Sequence, residues 1–267
     1  MNSYNTYFKF LKADALKILL ISIIFTIGHL CIAGIYEILP SIKNNSDEFI
    51  RYANQVIAMV FLLCIVYGAT ISARTFSGAM SIRGNRVGFI KAFILWSILI
   101  SIFTAIFSLT SEMGFKFILE MITKKDVLIV ADIVWFDFGN EGFNMVPVNI
   151  SFIWFMKTIF FRFLTNILMI SIGFMFGAIG YRLKLRTNLI LFVLLPILLI
   201  ISIVSIGLRN QDMIIDAVYY IMNITLYIGK NPIMLLIIET IGVVIFTLVG
   251  VRFLIKAPIK DYAHDLI

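Results

Sequence analysis

The sequence predicts an all-α, polytopic membrane protein, with six transmembrane helices preceded by an N-terminal interfacial helix. Three observations carry that class. Of the 267 residues, 61% are hydrophobic and only 14% charged, with a mean hydropathy of +1.03; such a chain cannot solvate a globular surface. Six apolar runs, at 17–39, 56–73, 89–109, 151–181, 188–208 and 232–255, approach or exceed the roughly 20 residues that a helix needs to cross the hydrocarbon. Helices satisfy their own backbone where no water is available, and these runs are too long for barrel strands. A single membrane domain over 1–267 is expected.

Charge distribution sets the orientation. The net charge of +7 would suit nucleic acid, but the cations lie in short loops beside the apolar runs. With the N-terminus inside, the inner segments hold Lys9, Lys12, Lys17, Arg74, Arg83, Arg86, Lys91, Arg182, Lys184, Arg186, Arg252, Lys256 and Lys260 against Asp14, Asp261 and Asp265. The outer segments hold Lys43, Arg51, Lys116, Lys124, Lys125, Arg209 and Lys230 against eleven acids. This positive-inside bias predicts a multi-pass protein of the cytoplasmic membrane with both termini in the cytoplasm. Cys31 and Cys64 fall inside predicted spans, and no Cys/His ligand spacing occurs, so neither a disulfide framework nor a metal site is expected. The first apolar run is too long, and lacks the small-residue cleavage pattern, for a removable signal peptide.

Taking the chain in order, Tyr4, Tyr7, Phe8, Leu11 and Ala15 recur at helical spacing within 1–16, with Lys9 and Lys12 on other faces. That pattern predicts an amphipathic helix on the inner leaflet, or else a water-exposed start to the first span. His29, alone in that span, reads as a helix-packing hydrogen-bond partner. The polar stretch 40–54 forms an external loop, and the second span runs to Ala73.

A basic connector, 74–88, follows. Phe76 and Met80 are four apart, so a short helix presents them on one face among Thr75, Ser77, Gly78 and Ala79. Gly84-Asn85 ends that helix, and Arg83 and Arg86 can anchor it at an anionic leaflet. Physics alone leaves a second reading open, a positive-inside loop with no partner.

The stretch Phe-Ser-Gly-Ala-Met-Ser-Ile-Arg-Gly-Asn-Arg-x-Gly-Phe at 76–89, leading straight into the third span, resembles the permease subunits of ABC-2 type (type V) exporters. The basic Ala-Pro ending Arg252-Phe253-Leu254-Ile255-Lys256-Ala257-Pro258-Ile259-Lys260 is similar to that of several such permeases. The resemblance implies that 75–82 is a coupling helix docking on an ATP-hydrolysing partner. Thr75, Phe76, Met80, Ile82, Arg83 and Arg86 would then make the docking surface. It also implies a second permease chain, as a homodimer or heterodimer.

An external segment, 111–150, carries six acids and three lysines. Its aromatic group Trp135, Phe136, Phe138, Phe143 reads as an interfacial belt around a small cap, with a substrate-exit or partner surface as the sharper alternative. The fourth apolar run is too long for a perpendicular span, so it starts at the interface or tilts. Within it, Gly173, Gly177 and Gly180 allow close approach of another helix. The inner loop 182–186 carries three cations. Pro196 permits a kink in the fifth span. Apolar residues at helical spacing in 209–231 predict re-entrant external helices, which the ABC-2 resemblance also implies. Glu239 is the one acid well inside a predicted span, and such a group is usually paired or functional. Arg162, at a comparable depth in the fourth span, is its expected ion-pair partner, with Lys157 second. A proton-coupling role for Glu239 is the alternative.

No Gly-x-x-x-x-Gly-Lys-[Ser/Thr] loop occurs, so the chain is expected to bind no cofactor, leaving ATP and Mg to a separate ATPase subunit. An intramembrane enzyme would need clustered His, Asp, Glu or Cys on a helix face, and a secondary carrier or channel would need inverted repeats or several polar groups at mid-membrane; neither pattern is legible. The expectation is therefore a non-enzymatic export permease. Apolar walls with one buried acid suit an amphipathic substrate, a membrane-active peptide or a lipid-like molecule.

Overall fold

The computed structural model describes residues 3–33, 49–53, 56–83, 85–124, 126–130, 137–139, 142–144, 152–183 and 231–257, with isolated positions between 187 and 223. Most of the predicted fifth span, the external helices at 209–231, Trp135, Phe136, Lys184, Arg186 and the Pro258 ending lie outside the described residues.

The elements are α1 (Ser3–Ala33), β1 (Phe49–Ala53), α2 (Val56–Thr70), a π-helical turn (Ile71–Thr75), α3 (Phe76–Arg83), α4 (Arg86–Thr123), β2 (Asp126–Val130), β3 (Asp137–Gly139), β4 (Gly142–Asn144), α5 (Phe152–Arg182) and α6 (Pro232–Ile255). Among the described residues five helices are long and apolar enough to cross a membrane, α2 joining α3 in one of them. The helical expectation therefore holds for five of the six spans. Among the described residues there are also two short strand pairs, which were not expected. Strands β1 and β2 pair in parallel from Phe49 opposite Asp126 to Ala53 opposite Val130, and β3 and β4 form an antiparallel pair with Phe138 opposite Phe143. β1 precedes α2 and β2 follows α4, so their pairing ties the N-terminal end of α2 to the C-terminal end of α4.

Two helices differ from the sequence reading. The predicted interfacial helix at 1–16 is not a separate element, because α1 runs unbroken through 31 residues. Its stripe Tyr7, Leu11, Ala15 is at most 1% exposed and packs on protein. Helix α4 continues past Leu109 to Thr123, 38 residues in all, or about 57 Å at 1.5 Å per residue. It stops where Lys124 turns left-handed, with φ 54°, and donates its N–H to the Glu120 carbonyl at 2.9 Å. The first part of the expected external segment is thus helix, and Glu112 lies within it.

Helix α5 sits at the centre, against α2, α4 and α6, while α1 covers α4 and α2. Glycines permit the tightest of these contacts. A Cβ on Gly173 would lie 2.8 Å from the Ile65 carbonyl carbon and 2.9 Å from its Cα, and one on Gly177 would lie 2.8 Å from the Ala69 Cα. A Cβ on Gly68 would make the reciprocal approach, 2.6 Å from the Phe174 backbone nitrogen. Helices α2 and α5 therefore meet backbone to backbone, the arrangement small residues allow in lipid. Gly180 is placed differently, its carbonyl accepting the Leu183 N–H at the end of α5.

Candidate functional site

Two features bring chemistry-bearing side chains together: a corner at the predicted cytoplasmic end, and a polar layer toward the opposite end of the bundle.

The corner begins where α2 fails to stop. Its axis passes through the wide turn at Ile71–Thr75, in which the Phe76 N–H reaches back to the Ile71 carbonyl, and continues as α3. Only Gly84 and Asn85 separate α3 from α4. Asn85 caps α4, its side chain accepting the Gly88 N–H at 3.1 Å, and its own N–H donates to the Tyr7 hydroxyl at 3.0 Å. Thr75 donates to the Asp14 carboxylate at 2.9 Å. Both bonds fasten the corner to α1. A third attachment comes from Trp96 of α4, whose indole donates to the Phe8 carbonyl at 2.9 Å while its ring stacks on Phe8 at 4.7 Å.

Phe76 and Met80 do not form an outward face. They are 0% and 3% exposed. Phe76 meets Phe89 edge-on at 5.3 Å and Tyr181 at 5.4 Å; Phe93 continues the cluster by stacking on Phe174 at 4.2 Å. The physical reason is that a connector of two residues cannot hold an apolar helix face away from the bundle, and the aromatic ends of α4 and α5 cover it instead. Ile82 and Arg83 lie in the last turn of α3. Among the residues of the corner whose side chains are described, Arg74, Gly78, Asn85, Val87 and Lys91 are exposed.

Arg86 likewise turns to protein. Its guanidinium donates to the Leu254 carbonyl at 3.5 Å and to the Ile255 carbonyl. From α5, Arg182 donates to the Lys256 carbonyl at 3.2 Å and lies over the Phe253 ring at 5.5 Å. Two arginines from different helices thus satisfy the terminal carbonyls of α6, where the helix dipole favours positive charge. The expected role of Arg86 as a leaflet anchor is replaced by this cap.

Near the other end, a stripe of small polar residues, Ser97, Ser101, Thr104 and Ser108, runs along α4 to Glu112, all buried. It faces α5. Arg162 donates to Glu112 at 2.6 Å and to Ser108 at 3.1 Å, with the two charged side chains 4% and 1% exposed. Asn166 donates to Thr104 at 3.0 Å. On its other side α5 meets α6, where Thr165 donates to Glu239 at 2.7 Å and Thr247 to Ser171 at 3.1 Å.

The predicted Arg162–Glu239 pair is therefore corrected: Arg162 is held by Glu112. The apolar run ends at Leu109, but the helix continues to Thr123 and brings Glu112 opposite Arg162. Lys157 is exposed and does not replace it. The four-residue and three-residue spacing of 97, 101, 104, 108 and 112 was the available clue, since it marks one helix face. Among the described residues no group of three or more His, Cys, Asp or Glu stands together to hold a metal. The cysteines are unpaired, Cys31 exposed and Cys64 buried.

No protein-family model, curated protein or solved structure matches this chain.

Proposed function

We propose that the chain is the membrane-spanning permease subunit of an ABC-2 type exporter, driven by a separate ATPase that holds the ATP and Mg. It moves an amphipathic molecule, a membrane-active peptide or a lipid-like compound, outward across the cytoplasmic membrane together with a second permease chain. The resemblance of 76–89 and of the basic Ala-Pro ending supports the family. The observation that carries the reading is the attachment of the corner at 75–89 to helices α1, α5 and α6, through Asp14, Tyr7, Tyr181 and the Leu254 and Ile255 carbonyls. A load applied there reaches most of the bundle at once. Such a corner suits a part that converts a partner's motion into rearrangement of several spans.

The docking surface is revised accordingly. Phe76 and Met80 serve the internal hinge of the corner, and the partner meets the exposed side around Gly78, Asn85 and Val87. A Cβ on Gly78 has only the Phe10 ring tip near it, at 3.7 Å, so bulk is tolerated there in the free chain. We expect the full chain, purified from its native membrane, to carry an ATPase with a P-loop whose ATP hydrolysis responds to amphipathic substrate. Gly78→Arg and Val87→Glu should each reduce recovery of that ATPase at least tenfold while leaving the chain's own thermal stability unchanged. Absence of such an ATPase, or its undiminished recovery with both variants, refutes the reading.

A further inference from the structure

We propose that Arg162 is a two-position switch, pairing with Glu112 of α4 in the conformation described and with Glu239 of α6 in a second one. Among the described residues the bundle buries two carboxylates, Glu112 at 1% and Glu239 at 6% exposure, and one guanidinium, that of Arg162. A carboxylate removed from water needs hydrogen-bond donors or a counter-charge, and at this depth it is costly without them. Glu112 has both in Arg162, at its Oε2.

Glu239 has much less. Its Oε1 accepts from Thr165 at 2.7 Å, and among the described residues Oε2 has no hydrogen-bond partner. Even the Thr165 bond is shared, because the same hydroxyl lies 3.0 Å from the Phe161 carbonyl and a hydroxyl has a single proton to give. Glu239 is thus served by half a donor.

Its better donor is within reach. Thr165 and Arg162 are three apart on α5, neighbours at about 5–6 Å between Cβ atoms. Helical side chains lean toward the N-terminus of their helix, so Thr165 reaches back over the turn that carries Arg162. A guanidinium on a long stem spans that gap, and its planar fork can serve either carboxylate. Other cations nearby are committed or turned away: Lys116 pairs with Glu120 at 3.5 Å, and Lys157 is exposed. Since α4 and α6 flank α5 and scarcely touch one another, moving the arginine would transfer its bond from one neighbour of α5 to the other. The proposal stands apart from the transport reading, because its test needs neither ATPase nor substrate.

The experiment is a mutant cycle on the full chain in lipid nanodiscs, read as apparent Tm. Glu112→Gln and Glu239→Gln should each lower Tm by only a few degrees, because Arg162 retains the other carboxylate. The double variant leaves the arginine buried without a counter-charge. It should lose ~10 °C or more, well beyond the sum of the singles, or fail to accumulate while both singles are recovered. Adding Arg162→Met to the double variant should then restore most of the loss, because it removes the stranded charge. Additive single and double shifts, a collapse of Glu112→Gln alone, or a triple variant no more stable than the double overturns the switch.

Discussion

Replacing Gly173 by alanine adds one methyl group at the contact between α2 and α5, and the geometry there states what that methyl meets. The new carbon would lie 2.8 Å from the Ile65 carbonyl carbon and 2.9 Å from its Cα, where optimal carbon–carbon separation is about 3.5–4.0 Å. The neighbours are backbone, so no rotamer change relieves the overlap. The Ile65 carbonyl oxygen lies nearer still, so the helices must separate by at least about 0.7–1.2 Å along this line, and the aligned contacts at Gly68 and Gly177 open with them. Overpacking of this kind costs about 1–3 kcal/mol. The control lies in the same chain: a Cβ at Gly28 or at Gly114 has no neighbour within 4 Å, and alanine is favoured over glycine inside a helix by roughly 0.5–1 kcal/mol. Thermal unfolding in nanodiscs should therefore show opposite signs, with Gly173→Ala lowering Tm and Gly114→Ala holding or raising it. Equal shifts for the two variants would refute the backbone-to-backbone packing.

Two further outcomes concern the end of the bundle that carries the corner. Arg86→Gln removes the charged donor at the Leu254 and Ile255 carbonyls; it should cost about 1.5–3 kcal/mol and speed hydrogen exchange in the last turn of α6, whereas unchanged exchange there would mean that Arg182 alone supplies the cap. Trp96→Phe keeps a ring against Phe8 but loses the indole bond to its carbonyl, a loss of about 1 kcal/mol. Trp96→Ala, which also empties the site, should cost about 3–5 kcal/mol; Tm values equal for the two variants would show that the stack contributes nothing.

The five long helices were legible because hydrocarbon demands long apolar runs, and the ends of α5 and α6 fell within a residue or two of the composition-based limits. Interior packing was legible in part, at Gly173 and Gly177, because small residues four apart have few other uses on an apolar helix. What escaped was decided by contacts between segments far apart in sequence. Tyr7, Leu11 and Ala15 make the same stripe whether lipid or protein covers them, and only the position of α4 selects protein. Phe76 and Met80 were read as an outward face because a four-residue spacing specifies that two side chains share a side without saying which side. Glu112 was lost to a boundary: hydropathy falls near Thr110, but a helix continues as long as its backbone bonds are met, and Ser108 with Arg162 gives the polar continuation a reason to stay inside.

The wide turn at Ile71–Thr75 fixes the angular phase of everything after it. A π turn carries one residue more than an α turn of the same span, so it rotates the following side chains by about 100° relative to an unbroken α-helix. Without that offset, the residues that now point Phe76 at Phe89 and Tyr181 would be aimed elsewhere on the helix circumference. The turn therefore works as a spare residue held in the helix. Deleting one residue within 71–75 and restoring α geometry there would leave Phe76 to Arg83 facing as they do now, whereas the same deletion in α2 or α3 would turn the corner away from its partners.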